Sequence, residues 1–182
     1  MHRVIVSDIF GRTSALEKIA EALPGDVDIF DPYDTKHMGF SNEAEAYACF
    51  SSEVGLDTYT DKLSKKVAAQ STQIDLLGFS VGASAIWKIF NQEESKNVSS
   101  ALCFSGSQIR NHIDITALFP VRLILPSSES HFLVSELIHS LEGKENVEIH
   151  RAEFLHGFMD SHSENFDQRG YDQFLEMLKS KR

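Results

Sequence analysis

The sequence predicts an α/β protein in which six strands form a doubly wound, mostly parallel sheet flanked by helices. Short β-branched or apolar runs alternate with longer segments of helical period, which is the pattern of stacked strand-helix-strand units. The 182 residues contain no internal repeat, low-complexity tract or convincing linker. We therefore interpret residues 1–182 as one domain.

The elements follow from local signals along the chain. The predicted strands, each a short run rich in Val, Ile, Leu or Phe, are residues 3–8, 27–30, 74–79, 98–104, 121–125 and 147–153. The predicted helices, each with apolar residues three or four apart, are residues 14–23, 43–50, 56–70, 81–90, 131–141 and 166–179. Pro24 and Gly25 end the first helix, and Pro120 and Pro126 bound the fifth strand.

The composition disfavours several classes of function. Lys and Arg number 17 against 27 Asp and Glu, which gives a net charge of −10. A chain this acidic is not expected to bind nucleic acid or an anionic membrane surface. Apolar runs are too short to span a bilayer, and Asp8 interrupts any signal core, so we expect a cytoplasmic protein. Cys49 and Cys103 are interpreted as ordinary thiols, and neither a metal nor a cofactor is expected.

The third strand ends in a Gly-x-Ser-x-Gly pattern formed by Gly78, Ser80 and Gly82, with a helix predicted directly afterwards. This arrangement is typical of a nucleophile elbow, in which a serine stands on a sharp turn between strand and helix. The two glycines are needed because strand and helix approach closely there. Alternatively, Ser80 caps the helix and the glycines only bound a turn.

A serine nucleophile needs a histidine base, and in this type of fold the histidine follows the last strand. Of eight histidines, His156 fits this position best. We therefore predict that His156 takes the proton of Ser80. His37 and His112 lie in connections that can reach the site, and a substrate contact is the alternative kept for each.

The histidine in turn needs a carboxylate that fixes its tautomer. Glu129 is the carboxylate in the loop after the fifth strand, and we predict it as the acid. The alternative is a solvated glutamate that precedes a helix N-terminus. Asp114 and Asp160 are the fallback acids.

Acyl transfer also needs N–H donors for the oxyanion. The amides expected in this role are those of Val81, directly after the serine, and Ile9, in the loop after the first strand. Gly11 allows the backbone to turn in that loop. A plain strand-to-helix loop has the same appearance, so this alternative stays open.

Three segments resemble the dienelactone hydrolases of the α/β-hydrolase superfamily. Residues 6–11 resemble the family's Glu-Ile-Phe-Gly segment, residues 78–82 its elbow, and residues 156–158 its His-Gly-Phe signature. The resemblance implies an α/β-hydrolase fold, an oxyanion amide from the first segment, and a carboxylate, here Asp8, beside the nucleophile.

The sequence also departs from that family's pattern. Ser80 stands where dienelactone hydrolases carry cysteine, Ala83 replaces a second glycine, Glu129 replaces the usual aspartate, and Asp8 is one carbon shorter than the family's glutamate. The expected activity remains hydrolysis, with a nucleophile and a pocket that differ from those of the dienelactone hydrolases.

The predicted fold is a minimal one, since residues 105–120 are too few for a lid domain. We expect an open or shallow pocket, with Phe10, Tyr33 and Phe79 as candidates for its walls. The alternative for each of these aromatic residues is a place in the ordinary core.

The function predicted from the sequence is hydrolysis of small carboxylic esters, lactones or thioesters through an acyl-enzyme. The alternatives are a non-catalytic small-molecule binding or regulatory protein on the same fold, and an acyltransferase. The expected partner is a small substrate molecule. A homodimer is a further candidate assembly, because open sheet edges can pair.

Overall fold

The computed structural model describes residues 2–180 and contains a six-stranded sheet in which all strands are parallel. The strands are β1 His2–Val6, β2 Asp26–Phe30, β3 Ile74–Phe79, β4 Val98–Phe104, β5 Val121–Leu125 and β6 Val147–Arg151. Their order in the sheet is β2-β1-β3-β4-β5-β6, so the chain winds outward from the centre in both directions. The predicted six-stranded α/β fold is confirmed. β2 and β6 are the outer strands of this sheet, and pairing with a second copy stays a prediction.

Helices cover both faces of the sheet. They are α1 Ser14–Ala22, α2 Glu43–Glu53, α3 Gly55–Ala68, α4 Val81–Lys88, α5 Val134–Leu141 and α6 Gln168–Ser180, with 3-10 turns at Glu93–Asn97 and Ser107–Asn111. One apolar layer lies between the sheet and helices α2 to α5, and a second lies between the sheet and helices α1 and α6. Within residues 2–180, none of these helices is long and apolar enough to cross a membrane.

β1 and the helix that follows β3 end earlier than predicted, because the chain turns locally. β1 stops at Val6 instead of residue 8, and the carboxylate of Asp8 accepts a hydrogen bond from the amide of Phe10 at 2.9 Å, which starts a tight turn. The α-helix predicted for residues 81–90 ends at Lys88. Its last residues, Ile89 and Phe90, instead donate to carbonyls three residues back, as in a 3-10 turn.

The later elements also have different bounds. α5 begins at Val134, three residues later than predicted, which leaves residues 127–133 as a loop. α6 begins after Asp167, whose carboxylate accepts from the amide of Gly170 at 2.8 Å and caps the helix. β6 ends at Arg151 because its pairing partner β5 ends opposite it, at Leu125.

Candidate active site

Ser80 lies at the junction of β3 and α4 in a conformation that non-glycine residues rarely adopt. Its φ is 51° and its ψ is −113°. Such a backbone is strained and persists only where the surroundings enforce it. The amide of Ser80 donates to the carbonyl of Phe104 at 2.8 Å, which ties the turn to the end of β4. The side chain therefore stands at the carboxyl edge of the sheet, where ligands bind in this class of fold.

The flanking glycines have the steric role expected of them. A Cβ on Gly82 would overlap the carbonyl oxygens of Val6 and Ser7, and one on Gly78 would lie 2.8 Å from the backbone of Ala83. Both clashes involve main chain, which no change of rotamer can relieve. The close approach of α4 to β1 and β3 therefore requires these two glycines.

His156 and Glu129 meet at Ser80. The Nε2 atom of His156 is 2.9 Å from Ser80 Oγ, and its Nδ1 atom is 2.7 Å from Glu129 Oε1. The Glu129 side chain is only 10% exposed and that of His156 is 28% exposed. A carboxylate sheltered from water interacts more strongly with an imidazole than an exposed one does. The arrangement can thus hold a proton on Nδ1 and leave Nε2 free to accept one from the serine.

The loops that carry His156 and Glu129 are tied together. The amide of Ser127 donates to the carbonyl of Phe154 at 2.8 Å, so the loop after β5 continues to pair with the chain that follows β6. Asn165 Nδ2 donates to the carbonyl of His156 at 3.0 Å. These bonds limit the movement of both partners. The sequence offered no local signal for them, because each joins residues that are distant along the chain.

The two amides predicted as oxyanion donors lie at adjacent strand ends. Val81 is the first residue of α4, where an amide has no acceptor within its own helix. Among residues 2–180, the amide of Ile9 donates no hydrogen bond outside regular secondary structure. The turn around Ile9 is held by the Tyr33 hydroxyl, which donates to the Ile9 carbonyl at 2.7 Å, and by the amide of Gly11, which donates to the Asp8 carbonyl at 3.2 Å.

Asp8 lies beside the site and faces Asp160, which the sequence analysis kept as a fallback acid. Asp8, Asp160 and Ser80 line the same small cavity of about 20 Å³. Burial raises the pKa of Asp8 well above its ordinary value, and the neighbouring Asp160 raises this pKa further. Asp160 accepts from the amide and the ring Nδ1 of His162, at 2.8 and 3.0 Å. Asp160, one of the fallback acids, thus contacts His162, and Glu129 contacts His156.

The three predicted pocket residues have different surroundings. Phe79 lines the cavity beside Ser80 and stacks on Phe104 with ring centroids 5.3 Å apart. Phe10 is buried against the ring of His162, with centroids 5.7 Å apart. Tyr33 packs edge-on against Phe40. Of the three, Phe79 is therefore the one that lines the cavity beside Ser80.

The other residues kept as alternatives are His37 and His112, as substrate contacts, and Asp114, as a fallback acid. His37 is within 3.5 Å of Glu17 and is more than half exposed. His112 follows the second 3-10 turn, and its carbonyl accepts from the indole nitrogen of Trp87 at 2.8 Å. Asp114 is exposed in the same connection. Neither of the two contacts described for His37 and His112 involves Ser80, Glu129 or His156.

Comparison with other sequences gives one relative and no family. No protein-family model matches the chain. An uncharacterised Bacillus subtilis protein, YczH, is 28% identical over 97% of this chain and 90% of its own length. The similarity therefore extends over nearly the whole of both proteins.

Several solved structures share this architecture, and one of them is described as a hydrolase of the α/β superfamily. A hydrolase of that superfamily from Xanthomonas campestris is 15% identical, with a TM-score of 0.61 over 99% of both chains. A lipase-esterase related protein from Clostridium acetobutylicum is 12% identical, with a TM-score of 0.65 over 98% of this chain and 93% of that one. A dienelactone hydrolase-like promiscuous phosphotriesterase from metagenomic libraries is 9% identical, with a TM-score of 0.63 over 97% and 84%. The chain thus has the α/β-hydrolase fold.

Proposed function

We propose that the protein is a serine hydrolase that cleaves small carboxylic esters, lactones or thioesters through an acyl-enzyme. The observation that supports this most directly is the continuous hydrogen-bonded chain from Ser80 through His156 to Glu129 at a strained elbow. The α/β-hydrolase neighbours, which include esterase-related and dienelactone hydrolase-like proteins, are consistent with it.

The mechanism follows from the roles that this geometry offers. Ser80 Oγ attacks the substrate carbonyl while its proton passes to His156 Nε2. Glu129 accepts the Nδ1 hydrogen bond and stabilises the imidazolium that forms. The amides of Val81 and Ile9 donate to the tetrahedral oxyanion. His156 then protonates the leaving group. A water that gives its proton to His156 attacks the acyl carbon, and His156 passes that proton to Ser80 Oγ as the acid is released.

The space beside the serine favours a short acyl group. The cavity lined by Ser80, Phe79 and Asp8 holds only about 20 Å³. A space of this size holds about one water-sized group, so a longer acyl chain fits on this side only if neighbouring side chains move. We therefore propose acetyl to butyryl esters as the preferred size class, with the leaving group directed to the open side of the site.

The test is turnover of p-nitrophenyl acetate and butyrate by the wild type and by Ser80→Ala, His156→Ala and Glu129→Ala. Removing a member of such a chain lowers kcat by about 10⁴-fold or more, so all three variants are expected to lose turnover. Ser128→Ala and His139→Ala, which change exposed residues outside the site, are the matched controls.

Labelling by a fluorophosphonate separates this proposal from a non-catalytic binding protein. An activated serine reacts covalently, so wild type is expected to label and Ser80→Ala is not. A wild type that neither labels nor turns over short esters would contradict the proposal. Loss in the Ser80 and His156 variants together with full activity in Glu129→Ala would contradict only the assignment of the acid.

A further inference from the structure

A large cavity lies at the opposite end of the sheet from Ser80, where the strands begin. Its volume is about 660 Å³. The walls come from the first residues of β1, β3, β4, β5 and β6, on the face that α1 and α6 cover, and from Leu178 near the end of α6. Since Ser80, Glu129 and His156 follow strand ends, the length of the strands separates this cavity from the candidate active site. The proposed hydrolase function does not use it.

A buried arginine with unused hydrogen-bonding capacity lines this cavity. Arg3, on β1, is only 8% exposed. Its Nη1 atom is buried and has no hydrogen-bond partner within residues 2–180. None of the ion pairs among those residues includes Arg3. A guanidinium keeps its charge when buried, and an unpaired buried charge is strongly unfavourable. Arg3 is therefore a charged group that an anion bound in this cavity would stabilise.

The carboxylates in the cavity wall are already engaged by other groups. Asp75, which pairs with Arg3 in the strand register, accepts from Ser100 Oγ at 2.7 Å. Glu148 lies 2.7 Å from Nη2 of Arg122. The Nε atom of Arg122 is itself buried without a partner among the described residues. Among residues 2–180, Glu148 thus pairs with Arg122, whereas no carboxylate lies within ion-pair distance of Arg3.

The rest of the wall is suited to a carbon skeleton. Leu77, Leu102 and Leu178 line the cavity, and each is less than a tenth exposed. A volume of about 660 Å³ is in the range of small-molecule sites. Ser99 lies at the mouth, where the pairing of β3 with β4 shifts by one residue between Ile74 and Asp75. A bulge of this kind leaves the extra residue unpaired in the ladder and bends the strand.

We propose that this cavity binds a small organic anion, whose carboxylate or phosphate group pairs with Arg3 and whose apolar part rests on the leucine wall. Guanidinium groups recognise both kinds of anion through charge-assisted hydrogen bonds. Arg122 offers a second donor for a polar substituent of the same ligand.

The test measures binding of benzoate, phenyl phosphate and the neutral benzyl alcohol to the full chain by isothermal titration calorimetry. At least one of the two anions is expected to bind, and comparing their affinities shows whether the site prefers a carboxylate or a phosphate head group. The neutral alcohol is not expected to bind. Arg3→Met keeps the length of the side chain without its charge and is expected to weaken anion binding by at least about tenfold. The matched control Arg169→Met removes an exposed guanidinium and is expected to bind as wild type does.

Two further measurements keep the test decisive if Arg3→Met is poorly folded. Ser99→Glu adds a negative charge at the exposed mouth and is expected to weaken anion binding. In amide chemical-shift mapping of the wild type, benzoate is expected to perturb residues 99–102 and 146–148, and Ser80→Ala is expected to bind it equally well. Absence of binding by both anions, binding unchanged in Arg3→Met, or perturbations confined to the Ser80 end would each overturn the proposal.

Discussion

Replacing Asp8 by asparagine is expected to change how the stability of the protein depends on pH. Burial raises the pKa of Asp8 well above its ordinary value, and the carboxylate of Asp160 raises it further, while the hydrogen bond from the Phe10 amide lowers it in part. Asparagine has nearly the same shape, and its side-chain oxygen can still accept from Phe10. The exchange therefore removes the ionisable group with little loss of packing.

The sign of the effect follows from proton binding. In the unfolded chain an aspartate loses its proton near pH 4, whereas the native Asp8 keeps its proton to a higher pH. Over this interval the native state binds more protons, so the free energy of unfolding falls as the pH rises. A single group contributes at most about 1.4 kcal/mol per pH unit, and the fall stops above the native pKa. This contribution is absent in Asp8→Asn.

The assay is urea unfolding of the wild type and Asp8→Asn between pH 4 and pH 9. The difference in unfolding free energy, variant minus wild type, is expected to increase with pH by up to about 1.4 kcal/mol per unit and then level off. Taking the difference removes the titration of groups that both proteins share. Asp26→Asn makes the same exchange at an exposed position and measures the effect of net charge alone. A difference that is flat or decreases with pH would refute the reasoning.

Three other perturbations test the fold and the site. Gly82→Ala places a methyl group on the Val6 carbonyl and is expected to lower the free energy of unfolding by about 3 kcal/mol, measured in urea; a loss below about 1 kcal/mol would contradict the steric account. Asp167→Ala removes the acceptor for the Gly170 amide at the start of α6 and is expected to cost about 1 kcal/mol in the same assay, with Asp167→Asn close to wild type. For acyl length, kcat/KM is expected to fall at least about tenfold from p-nitrophenyl acetate to the octanoate, because the cavity beside Ser80 is small; an increase would show that the acyl chain binds elsewhere.

Much of the site geometry could be anticipated because parallel strands bring their carboxyl ends to one edge. Ser80, Glu129 and His156 each follow a predicted strand, so a shared edge brings them together whatever the details of the helices. The structure places the three within hydrogen-bond distance, and their catalytic roles stay a prediction. The contact between Asp8 and Asp160 was not anticipated. It depends on how the loop after His156 folds back across the first strand.

The sequence by itself determined the six strands in their order along the chain and the strand-turn-helix around Ser80. These depend on local composition, on hydrophobic period and on glycines at fixed spacing, all of which act over a few residues. Only the tertiary structure decided that the sheet order is β2-β1-β3-β4-β5-β6 and that Arg3 is buried with no ion-pair partner among residues 2–180. An arginine at the start of a strand is ordinarily expected at the surface. Its burial depends on which helix covers that face and where the neighbouring strands begin, and these are set by contacts between residues far apart in sequence.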